Sequence, residues 1–180
     1  MKNTNNSRPD TILLAREIIN EAGKNSGGWK ETIDIFNQII NQLIEKENIH
    51  SKTELLLNGL DYFSELFTEA KSQHNISNSA ANLNVIVHFR LFLDCVLAID
   101  NDIITINDMY MLSKVTGVIR SDIHNFIKLM VKISDLLDRA IVYIFENRST
   151  DSNDYFPILE TKIRNYLIEY VDDNTGWNKI

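Results

Sequence analysis

A chain of 180 residues, 44% apolar and 24% charged, is long enough to bury a core of its own. Its two prolines and six glycines exclude collagen-like and Pro-rich linker classes, and they leave long stretches free to stay helical, because both residues oppose a helix interior. A net charge of −7 repels phosphate backbones and weighs against general nucleic-acid binding; the same sign suits a basic protein partner.

Residues 1–9 are polar, lack an apolar signal core and read as a disordered tail. Asp10 can cap a helix to Ala22, with Ile12, Ala15, Ile19 and Ala22 on one face, and Gly23 reads as its stop. A second helix spans Trp29 to Glu47, striped by Ile33, Phe36, Ile40, Leu43 and Ile44. Ser51 and Glu54 form a capping box for a third helix, which runs to Lys71. The fourth, about residues 80–99, is apolar nearly all round and so belongs at the centre of a bundle. Its charges are few, and Arg90 and Asp94, four apart, meet on the remaining polar strip.

A short helix from Thr105 or Asn107 to Thr116 follows, ended by Gly117. The long helix, about residues 121–147, keeps apolar spacing from Ile123 to Phe145. The last runs from Asp154 to Val171, with Pro157 in its first turn, and residues 173–180 should fray. The fold class is therefore all-α: one domain over residues 10–172, with six or seven helices. No apolar run reaches the roughly 20 residues of a membrane span. Cys95, the only cysteine, excludes an intrachain disulfide and suits a reducing compartment; in its apolar run it reads as a buried hydrophobe.

The segment from Thr105 to Met130 resembles a helix-turn-helix unit. Leu112 and Ser113 pack inward, Gly117 turns the chain, and Val118, Ile123 and Phe126 close the small core. That resemblance implies that Arg120, Ser121, His124, Asn125 and Lys128 meet DNA in the major groove. Ile119 stands where a polar cap is usual, and an ordinary helical corner needs the same glycine and the same apolar offsets. Arg120 and His124, on one helical face, also resemble the paired arginine and histidine of helical RNases of the HEPN group, with three intervening residues instead of four to six.

His50, His74, His88 and His124 have no zinc-ligand spacing. Asp100-Asn101-Asp102 begins like a calcium loop but lacks the sixth-position glycine and the twelfth-position glutamate. Neither metal nor cofactor is expected. Clustered carboxylates at Asp100, Asp102 and Asp108, and at Glu169, Asp172 and Asp173, could instead steer a basic enzyme by mimicking phosphate.

With no catalytic constellation, the first expectation is a non-enzymatic protein that binds another protein, as inhibitor, immunity-type factor, adaptor or regulator. A helix-turn-helix DNA-binding regulator is the alternative, and a HEPN-like RNase the third reading. The expected location is the cytoplasm of a bacterium, or of a host cell for a viral protein. An exposed apolar face on the long helix would make a homodimer.

Overall fold

The computed structural model describes residues 8–25, 27–99, 121–150, 152–170 and 178–180; of residues 8, 9 and 121–124 it describes the backbone only. The described residues form six helices: α1 (Arg8–Asn25), α2 (Lys30–Glu47), α3 (Lys52–Ser72), α4 (Asn78–Leu97), α5 (Ser121–Glu146) and α6 (Phe156–Ile168). The class is all-α, a helical bundle. The segment holding Asp100, Asp102, Asp108, Gly117 and Arg120, with the short helix expected between Thr105 and Thr116, lies outside the described residues.

The helix starts follow the capping residues. The Ser51 hydroxyl accepts from the Glu54 amide at 3.2 Å. The Glu54 carboxylate reaches back one residue further than a capping box requires, and accepts from the His50 amide. Ser77 caps α4 by accepting from the Ala80 amide, so this helix begins slightly earlier than expected. Gly23 does not stop α1, which runs on to Asn25. It keeps a side chain out of the way of Trp29: a Cβ there would stand 2.2 Å from the indole nitrogen, which donates to the Ile19 carbonyl at 3.1 Å. Gly27 and Gly28, at φ of 79° and 100°, make the turn into α2.

Helix α4 is the centre. It packs against α2, α3, α5 and α6, while α1 packs mainly on α5. By length and composition α4 could cross a membrane, but 67% of its most apolar stretch is buried inside the protein. Around it Phe36, Phe63, Phe89 and Phe92 meet mostly edge to face, with Phe63 5.3 Å from Phe89 and 5.5 Å from Phe92, a geometry that suits the aromatic quadrupole. Gly59 lets α3 approach α4, because a Cβ there would lie 2.4 Å from Phe92.

Two features depart from expectation. Arg90 and Asp94 do pair, at 3.0 Å, but Arg90 lies inside, 5% exposed, where its Nε donates to Asp138 of α5 at 3.0 Å. The chain end is not frayed at residues 178–180. Asn178 is fully buried; its carbonyl accepts from the Lys52 amide and its side chain accepts from the Thr53 amide. Lys179 bridges to Ser51, and the Ile180 amide donates to the His50 carbonyl at 2.9 Å. The tail thus supplies acceptors to the first turn of α3, where amides have no partner within the helix.

Candidate functional site

Helix α1 carries two neighbouring apolar stripes. Ile12 and Ala15 are buried. Leu14, Ile18 and Ala22, repeating every four residues, face a trough whose far wall is α4, joined at one end by Phe145 of α5. Among the described helices α1 packs mainly on α5, and the trough lies between α1 and Leu83, Val87 and His88 of α4.

The trough has two continuous parts. One, of about 400 Å³, is floored by Leu14, Ile18, Ala22, Leu83 and Phe145. The other, of about 230 Å³, adds Trp29, Val87 and His88 and shares Ile18, Ala22 and Leu83 with the first. The His88 ring stands edge-on to Trp29 at 5.3 Å and fixes that end. Glu17 and Glu21 stand exposed along the α1 edge. Glu21 pairs with Lys24 at 2.6 Å, but both side chains are about two-thirds exposed, so that contact is weak and exchangeable.

Of the residues expected to contact DNA, Asn125 and Lys128 fall elsewhere. Arg120 lies outside the described residues, and for Ser121 and His124 only the helical backbone of α5 is described. Asn125 and Lys128 are exposed and line a cleft of about 560 Å³ between α5 and α6, with Leu129, Lys132, Tyr166, Glu169 and Tyr170. The Lys132 ammonium sits over the Tyr166 ring, 3.6 Å from its centroid, a cation–π contact. Tyr170 is anchored by Phe126 at 6.1 Å. Glu169, read from the sequence as part of an acidic tail, lines this cleft and is its one carboxylate among the described residues; Asp172 and Asp173 lie outside the described residues.

The chemistry of the interior is sealed. Arg90 lies between Asp94 and Asp138, and the Ser134 hydroxyl donates to Asp138 at 3.3 Å. Burial opposes the guanidinium charge, but Asp94 and Asp138 outweigh it and raise its pKa above the ordinary value. Arg90 and Asp138 are buried, with Asp94 about one-third exposed at the rim, and together they tie α4 to α5 as a structural lock. Burial, aided by the Asp94 charge, pushes the Cys95 thiol up to about 12, which keeps it neutral and a poor nucleophile. Among the described residues no three His, Cys, Asp or Glu side chains converge as metal ligands.

Comparison with protein-family models, curated proteins and solved structures finds no match. The trough was not foreseen from the sequence, although Leu14 and Ile18 beside Glu17 and Glu21 were its signal. Reading α1 as one buried stripe hid the second.

Proposed function

We propose that the chain acts by binding another protein, with the trough between α1 and α4 receiving an amphipathic helix that carries lysine or arginine along its edges. The reading is supported by one juxtaposition, an apolar floor bordered by two exposed glutamates on consecutive turns of α1. A helix laid in a groove buries apolar residues every three or four positions, the spacing of Leu14, Ile18 and Ala22. Cations one turn apart on that helix would meet Glu17 and Glu21. Apolar burial, at about 25 cal/mol per Å², supplies the affinity, while the rim charges set orientation and encounter rate. The net charge of −7 steers in the same direction, and Asp100, Asp102 and Asp108 add to it.

The reading is non-enzymatic: an inhibitor, immunity-type factor, adaptor or regulator, placed in a reducing cytoplasm, which suits the lone buried Cys95. The DNA-binding alternative is weaker. A recognition helix must stand clear of its neighbours to enter a major groove about 12 Å wide. Asn125 and Lys128 instead share a cleft with Tyr166, Glu169 and Tyr170 of α6 and the turn after it.

A photo-crosslinking residue at Leu14, with a control at exposed Ile158 of α6, tests this in the native cell. We expect one protein joined at position 14 and not at 158, through a helical peptide bearing Lys or Arg. Leu83→Glu should abolish the adduct while the chain stays folded, with some loss of melting temperature because Leu83 is half-buried against the core. Equal capture at both positions, or indifference to Leu83→Glu, would contradict the reading.

A further inference from the structure

We propose that the cleft between α5 and α6 binds a small phosphate monoester that also carries an amine or hydroxyl group. Its volume, about 560 Å³, is that of a small-molecule site. Asn125, Lys128 and Lys132 stand at i, i+3 and i+7 on α5 and line one wall of it. Tyr166, Glu169 and Tyr170 close the other wall.

Among the described lining residues two cations stand with one carboxylate, in a chain of net charge −7. Neither lysine has an ion-pair partner among the described residues. Lys132 is held over Tyr166, 3.6 Å from the ring centroid, so less of its side-chain freedom is left to lose on binding. A phosphate monoester near neutral pH carries close to two negative charges and three strong acceptor oxygens. A carboxylate carries one charge and two oxygens. Two ammonium groups, an amide and a phenol match the phosphate, and lysine binds phosphate well as a point charge. Glu169 repels a bare anion and favours a ligand whose other end donates a hydrogen bond.

The test uses the full chain, with phosphoethanolamine and inorganic phosphate as probes, followed by amide chemical shifts. Phosphoethanolamine should saturate and shift the amides of Asn125, Lys128 and Lys132. Lys128→Gln or Lys132→Gln should weaken it about tenfold or more, the loss of one charge-assisted hydrogen bond. Glu169→Gln should erase its preference over inorganic phosphate while thermal melting stays unchanged. Absence of saturation, or shifts that survive both lysine substitutions, would overturn the proposal. So would duplex DNA shifting these amides at concentrations where neither probe does, which would point to a polymer backbone as the source of phosphate.

Discussion

Arg90 stands on the most apolar of the described helices, 5% exposed, and it reaches Asp138 on another helix as well as Asp94 on its own. Taking such charges out of water costs several kcal/mol each, and a buried pair recovers little beyond that, so its value lies in completeness. Asp138→Leu alone leaves the guanidinium with Asp94 only, and should lower stability by about 3 kcal/mol in urea denaturation. The double replacement Arg90→Met with Asp138→Leu should return to within about 1 kcal/mol of wild type, or exceed it. A double variant that stays as unstable as Asp138→Leu alone would show that the pair stabilises outright. Beside it, Cys95 titrates at about 12 against an ordinary 9.0, through burial first and the Asp94 charge second. The folded chain therefore holds this proton more tightly than the unfolded chain. The stabilisation is complete below about pH 9 and is lost as pH rises toward 12, by at most about 1.4 kcal/mol per unit. Cys95→Ala should flatten that alkaline decline relative to wild type, and the folded thiol should resist alkylation at neutral pH.

At the scale of elements, Asn82 decides how α6 begins. It is fully buried on α4, and its side-chain oxygen accepts from the amides of Tyr155 and Phe156 at 2.7 and 2.9 Å. Its amide donates to the carbonyls of Asn78 and Asn153. A helix elsewhere in the chain thus supplies the acceptors that α6 lacks at its own start, where Tyr155 makes no side-chain cap. Asn82→Ala should cost about 1–3 kcal/mol for each amide left buried without an acceptor, and should raise hydrogen exchange in α6 first. Asn82→Asp keeps the acceptor but sets a buried carboxylate oxygen against the Asn78 and Asn153 carbonyls, so it should cost at least as much. This long-range cap was not legible in the sequence, which showed only Pro157 near the start of the helix. Local signals were legible: the Ser51 cap, the amphipathic stripe of α2 and the span of α5 were all read within a residue or two. Gly23 was misread, because its role is to admit Trp29, six residues on, and spacing alone does not distinguish that from a stop.

For the molecule as a whole, the central position of α4 followed from an apolar surface with scarcely a polar side. That surface needs neighbours all round, and among the described helices α1 rests mainly on α5, with the trough between α1 and α4. No periodicity in one helix reveals a gap between two, which is why the sequence pointed to the carboxylates at Asp100, Asp102 and Asp108 and passed over Glu17 and Glu21. It did bring Asn125 and Lys128 forward, as part of a DNA-reading helix; the structure sets them in a cleft with α6. The two surfaces are opposite in character, one apolar with an acidic edge, the other lysine-rich, so each can be altered without touching the other. The most direct measurement is the affinity of the crosslinked partner for two charge-reversed chains, Glu17→Lys with Glu21→Lys, and Lys128→Glu with Lys132→Glu. Partner binding through the trough predicts at least about a tenfold loss in the first, eased by raising the salt concentration, and no change in the second. A loss confined to the lysine-reversed chain would contradict it.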